Sequence, residues 1–214
     1  STMFFALFGI ENWKPLALIW AAVPLANVFY FGGAALYPMR AEGAHALSIR
    51  ELFSNRIFWI FMLMMLCAGA SEQAVSQWSS AFAEQGLGVS KTAGDLAGPM
   101  AFAAAMGISR LLFGKYGARL DLDRHMTGCI ILCIASYLCI AFVPSPVLSL
   151  LGCAVCGFSI GIFWPGTYSR ASASIRGGGT SQFALLALAG DLGCAGGPTL
   201  AGLVSDACGG NLRM

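Results

Sequence analysis

Two carboxylates stand where carboxylates are rare. Glu72 and Asp191 lie inside long apolar stretches, whereas the other eight acidic residues fall in connections or near the ends of those stretches. A charged side chain at the centre of a bilayer costs about 2.5–3.5 kcal/mol on insertion scales, so such groups face a cavity or a partner and mark ion or substrate pathways. A carboxyl group kept from water favours its neutral form, and one that cycles between forms carries protons. The competing reading is a protonated carboxyl that only hydrogen-bonds a neighbouring helix.

Glu72 has polar company. Gln73, Ser76, Gln77 and Ser80 recur at helical spacing on one face, Ser76 follows Glu72 by four residues, and Trp78 comes next. Such a stripe cannot face lipid, where unpaired polar groups are costly. It is either glue between helices, worth about 0.6 kcal/mol per contact, or the wall of an aqueous cavity. Five polar residues exceed what packing needs, which favours the cavity.

Other constellations carry less. Cys153-Ala-Val-Cys156 has redox spacing but lies in an apolar stretch, where a thiolate is disfavoured and Cys packs as a small hydrophobe. Gly177-Gly178-Gly179-Thr180 lacks the Lys of a phosphate loop and reads as a turn. His45 and His125 stand apart in connections, as interface residues. No metal or cofactor is expected, and no nucleophile–base pair for an intramembrane enzyme is present. The 27 glycines include the pairs Gly94/Gly98, Gly157/Gly161 and Gly193/Gly197, a spacing that lets helix backbones approach closely. Pro24, Pro99, Pro165 and Pro198 each remove a backbone hydrogen bond and can kink a helix.

The elements that must position these residues are membrane spans. Of 214 residues, 57% are hydrophobic and 10% charged, with a mean hydropathy of +0.74. Soluble domains carry about 25% charge, so an ordinary soluble enzyme is excluded, as is disorder. The net charge of +2 argues against a nucleic-acid partner. Six continuous apolar stretches, at 16–38, 57–79, 96–114, 126–144, 147–168 and 182–204, approach the roughly 20 residues a helix needs to span a bilayer. None alternates as barrel strands do. The expected fold is an all-α, polytopic membrane helix bundle. Met3 to Ile10 reads as the tail of an earlier helix. Nine of the 12 basic residues fall on alternate connections, near 39–56, 110–125 and 169–181, and three on the others. The positive-inside rule makes the richer side cytoplasmic.

Three segments resemble the major facilitator superfamily, and its fucose-permease-like sugar branch in particular. Gly69-Ala70-Ser71-Glu72-Gln73-Ala74-Val75-Ser76-Gln77-Trp78 is similar to that branch's seventh helix. Gly107 to Arg119 is similar to the superfamily's cytoplasmic loop motif between helices eight and nine. Phe163-Trp164-Pro165-Gly166 through Gly178-Gly179-Thr180 to Gly190-Asp191-Leu192-Gly193, Gly197-Pro198 and Gly202 resembles helices ten and eleven.

The resemblance implies a partial major facilitator fold, from the end of helix five through helix eleven of a twelve-helix carrier. Residues 1–40 would close the first half, 41–56 form the cytoplasmic link between halves, and 57–214 supply five spans of the second. It implies a secondary transporter that moves a small polar solute, such as a sugar, by alternating access with proton coupling. Lipid and the remaining helices would be its partners, and the bacterial inner membrane its place. Glu72, Gln73, Ser76, Gln77 and Trp164 would line the cavity. Glu72 and Asp191 would be the proton-coupling candidates, and Gly107, Arg110, Gly114, Lys115 and Arg119 the gating loop. Ala118 stands where the family usually has Asp, which sets the charge relay of this motif apart. A uniporter and a non-transporting receptor or scaffold are the alternatives.

Overall fold

The computed structural model describes residues 14–34 and 47–209. The helix tail read at Met3 to Ile10 lies outside them, as do residues 41–46 of the expected link at 41–56. The chain divides into two compact units, Ser1–Ala44 and His45–Met214. The first holds α1 (Lys14–Gly32), which contains Pro24 and is apolar on all sides, as a spanning helix is.

The second unit opens with a short helix, α2 (Ile49–Ser54), started by a capping box in which Ser48 and Glu51 each bond the other's backbone N–H. Asn55 then caps α3 (Arg56–Ala81), which runs on through a wider π turn at Phe82–Gly86. A short helix α4 (Lys91–Asp95), a π segment at Leu96–Met100 and α5 (Ala101–Tyr116) follow without a break, ending in a 3-10 turn at Gly117–Arg119. Pro99 sits in the π segment. The wider turn absorbs the hydrogen bond that proline cannot donate. Next come α6 (Leu122–Phe142), α7 (Pro146–Ile160), α8 (Phe163–Ser174) and α9 (Gly179–Ala207).

Six helical segments among the described residues are long and apolar enough to cross a membrane: Lys14–Gly32, Arg56–Gln85, Lys91–Arg119, Leu122–Phe142, Pro146–Ser174 and Gly179–Ala207. They match the six expected stretches, with two corrections. The stretch read as 147–168 is two helices, α7 and α8, parted at Gly161–Ile162. Pro165 lacks the N–H that the Gly161 carbonyl would accept four residues on, so the helix breaks there. The connection read at 169–181 shrinks to 175–178, because α8 runs to Ser174 and α9 starts at Gly179. The turn itself is made by Gly177 and Gly179, whose φ values of 86° and 57° favour glycine. The segment read as a gating loop is also helical. Gly107, Arg110, Gly114 and Lys115 lie on α5, and Arg119 lies in its terminal 3-10 turn. Between Pro99 and Gly117 there is no residue that must stop a helix.

Packing follows the glycines. α9 lies along α3, and α7 packs against α5 and α6. A Cβ on Gly69 or Gly193 would run into the backbone carbonyl of Gly190 or Leu66, and one on Gly197 would come within 2.5 Å of the Ala70 carbonyl oxygen. Gly157 meets the Phe102 backbone in the same way. Leu52, Phe58, Met65, Leu186 and Ala189 bury together around α3 and α9. Cys153 and Cys156 bury with Phe102, Cys133 and Ile160, so the redox-spaced pair packs as hydrophobes. The Trp78 indole N–H donates to the Pro198 carbonyl at 3.0 Å, and the Tyr137 hydroxyl donates to the Ser71 carbonyl at 2.7 Å. These bonds tie α3 to α9 and to α6.

Gly193→Leu should therefore unseat α9 from α3, because the opposing atoms are backbone and cannot swing aside. Overpacking of this kind costs about 1–3 kcal/mol or more. Detergent-solubilised Gly193→Leu protein should show a clear drop in apparent Tm and in monodisperse yield. Gly128→Ala on α6, which meets nothing within 4 Å, should leave both unchanged or slightly raised.

Candidate functional site

A cleft of about 610 Å³ opens between α3, α5 and α8. Glu72, Arg110, Phe113, Gly114, Trp164, Pro165 and Tyr168 line it. The helix break positions α8 here. Gly161 lies so close to α5 that a Cβ would stand 2.7 Å from the Ser109 Cβ and 3.0 Å from the Met106 carbonyl oxygen. Gly190 on α9 leaves the space filled by Trp164, since a Cβ there would come within 2.5 Å of the indole ring. Behind Trp164, Tyr168 follows at 6.3 Å between ring centroids and Phe183 at a further 5.7 Å, an aromatic run backing one side.

Among the described residues that line the cleft, the charges are a single pair. Arg110 Nη2 stands 3.6 Å from Glu72 Oε2, with the arginine side chain 44% exposed and the glutamate 16%. The Arg110 Nε also donates to the Gly161 carbonyl at 3.4 Å. That is the carbonyl which Pro165 leaves without its helical donor. One guanidinium thus joins α3, α5 and the α7–α8 break. Charge-assisted bonds of full strength are about 2.7–2.9 Å long, so this ion pair is loose. Glu72 Oε2 and the Trp164 indole nitrogen are both buried, and although the indole is close enough to act on the carboxylate, neither atom makes a well-formed hydrogen bond among the described residues. The cleft therefore presents a cation, a carboxylate, an indole N–H and two aromatic faces, all with capacity to spare.

Of the residues read from the sequence as cavity-lining, Glu72 and Trp164 meet in this cleft, and Arg110 and Gly114 join them from the motif read as a gate. Gln73 and Ser76 are half-buried and Gln77 exposed on α3, outside the lining. Ser80, the end of the stripe, donates instead to Asp95. Asp191 is exposed on α9, also outside the lining, with its charge acting on Tyr168. Lys115 lies over the Tyr116 ring at 5.3 Å, and Arg119 is exposed. Near the end of α5, His125 stacks on Phe113 at 6.5 Å and Asp123 pairs with Arg170 at 2.9 Å. A carboxylate five residues beyond Ala118 therefore ties α6 to α8. Phe113 and Tyr168 are lining residues that sequence reasoning did not name, and Arg110 was named for the gate rather than for the cavity. One signal was available, since Arg110 falls inside the apolar stretch 96–114.

Removing one partner of a shielded pair strands the other, at about 3–5 kcal/mol when fully buried and less where one side reaches solvent. Arg110→Gln, which strands the better-buried Glu72, should lower the apparent Tm more than Glu72→Gln, which leaves Arg110 its Gly161 contact. The double variant should recover part of the loss in a double-mutant cycle, read by thermal unfolding of the solubilised protein.

Comparisons with known proteins bear on the family and the fold. The family model described as Major Facilitator Superfamily matches residues 1–198. No curated protein sequence matches the chain. Among solved structures, the crystal structure of a variant of the E. coli fucose:proton symporter FucP is similar, with a TM-score of 0.73 and 15% identity over 94% of this chain and 50% of that one. The chain thus spans half the length of that structure, and at this identity the likeness is one of fold. With a family match over most of its length and six apolar helices of spanning length, the chain is an integral membrane protein and belongs to the Major Facilitator Superfamily.

Proposed function

We propose that the chain is part of a secondary transporter that carries a small polar solute across the membrane by alternating access, coupled to protons. The observation that carries this reading is the loose Glu72–Arg110 pair facing an open cleft at span depth. An intramembrane ion pair marks a pathway for ions or substrate, and alternating access places such sites between rocking bundles. Family membership supports transport. The printed name of the solved relative, a fucose:proton symporter, supports protons as the coupling ion and a polyhydroxylated solute as a member of the substrate class.

In this reading Glu72 is the first proton-coupling carboxylate and Asp191 the second. Trp164 and Tyr168 supply the stacking face. Gln73, Ser76 and Gln77 serve the remainder of the cavity, toward the part of the carrier this chain does not span. Residues 1–40 belong to one half of the carrier, 57–214 to the other, and 41–56 link them. Gly107, Gly114, Lys115 and Arg119 act at the gate. A bacterial inner membrane is the proposed setting.

The test uses the complete carrier in proteoliposomes with an imposed pH gradient and a panel of labelled sugars, polyols and sugar acids. Uptake of the best panel member should rise with the gradient. Glu72→Gln should remove that dependence while solute exchange without a gradient persists. Gradient-driven uptake that is unchanged in both Glu72→Gln and Asp191→Asn would overturn proton coupling through these residues. Flux indifferent to pH in the unmodified carrier would establish the uniporter instead, and binding without flux the receptor.

A further inference from the structure

The cleft holds a guanidinium that its own carboxylate only partly engages. The Arg110 guanidinium is held from behind by its Nε bond to the Gly161 carbonyl, which leaves its Nη edge facing the cleft, 44% exposed. The Trp164 indole N–H lies near the Glu72 carboxylate without closing a well-formed hydrogen bond. Pro165, Phe113 and Gly114 add no side-chain acceptor to the lining. The one carboxylate available, Glu72, meets the guanidinium through a single oxygen at 3.6 Å, and that oxygen accepts no well-formed hydrogen bond. An arginine fork fits a planar carboxylate through two parallel bonds. Glu72 stands beside that seat without filling it.

We propose that Arg110 is an anion-binding residue of the cleft, that the solute it receives bears a carboxylate, and that Glu72 engages the guanidinium until a proton binds the Glu72 carboxylate and the solute anion takes its place. This rests on the reading of the chain as part of a proton-coupled carrier and narrows its substrate to acidic solutes, sugar acids among them. A protonated Glu72 no longer competes for Arg110, so the anion binds as the proton binds, and the two enter with no net charge. The rest of the solute lies against Trp164 and Tyr168. The other titratable groups facing Glu72 are few. Cys194 on α9 is within its electrostatic reach, as it is of Asp191. Tyr168 on α8 lies across the cleft, next to Asp191 in charge terms. Tyr137 on α6 bonds the adjacent Ser71 carbonyl.

The experiment measures equilibrium binding and solute exchange in the complete carrier, with matched probes differing in one group: glucuronate against glucose, lactate against propane-1,2-diol, and benzoate against benzyl alcohol. In at least one pair the acid should bind at least about tenfold more tightly than its neutral partner, or about 1.4 kcal/mol. Its affinity should rise from mildly alkaline to mildly acidic pH. Glu72→Gln should hold the acid at its high-affinity value across that range. Arg110→Gln should weaken the acid by at least about tenfold more than it weakens the neutral partner. Arg110→Lys keeps the charge without the fork and should fall between. Because Glu72→Gln predicts a gain at alkaline pH, misfolding cannot imitate the expected result. The proposal is overturned if neutral partners bind as well as the acids in every pair, or if acid binding ignores both Arg110 substitutions. Exchange that persists while acid binding ignores Arg110→Gln would remove this inference and leave the transporter reading intact. Absence of any exchange or gradient-driven uptake across the panel would remove both.

Discussion

The bundle depends on a contact made without side chains. Where α3 meets α9, Gly69, Gly190, Gly193 and Gly197 let the two backbones touch. In lipid there is little hydrophobic drive to bring helices together, so association comes from close packing and from hydrogen bonds between helices. The glycine contact supplies the first, and the Trp78 bond to the Pro198 carbonyl supplies the second. The same approach sets the depth of Trp164, because the indole occupies the space beside Gly190. The cleft is therefore shaped by residues that do not line it.

Polar satisfaction accounts for much of what remains. Hydroxyl groups within the spans bond carbonyls of their own helices, as Ser71 does to Ala68, Ser136 to Leu132, Ser159 to Cys156 and Thr199 to Ala195. Such local bonds let serine and threonine sit at membrane depth at small cost. The cleft departs from this rule. Glu72 and Trp164 keep buried polar atoms without well-formed hydrogen bonds, and unpaired buried groups are expensive. Ser79 Oγ and Gln182 Nε2 are likewise buried without a partner, but in the cleft the unsatisfied atoms stand beside an ion pair.

Much of this was legible in the sequence, for stated physical reasons. Long apolar runs without alternation can only be spanning helices, and all six emerged. Glu72 stood out because a carboxylate at that depth is costly. Glycine pairs at helical spacing pointed to close helix contacts, and Gly193 and Gly197 make them. The boundaries were less legible because a helix continues past the hydrocarbon wherever nothing breaks it, as α8 does to Ser174. Arg110 was misread by the rule that sorts positive charge into loops, which assumes that the charge reaches water. Here it is met by a carboxylate from a distant stretch of chain, a pairing that periodicity does not reveal. The Gly161–Ile162 break was half legible. Pro165 announced that a hydrogen bond would be lost, but the place and the substitute donor emerge only from the packing of α7 against α5.

That substitute donor gives proline a second role. By removing one backbone N–H, Pro165 leaves the Gly161 carbonyl open to a side chain, and the side chain that answers is the one cation among the described residues lining the cleft. The joint in the long span and the electrostatics of the cleft are thus governed by the same guanidinium. A helix that was merely bent would hold no information about the cleft. This one is spliced to it, so a change in what Arg110 grips at one edge alters how firmly the two half-rods are clasped at the other.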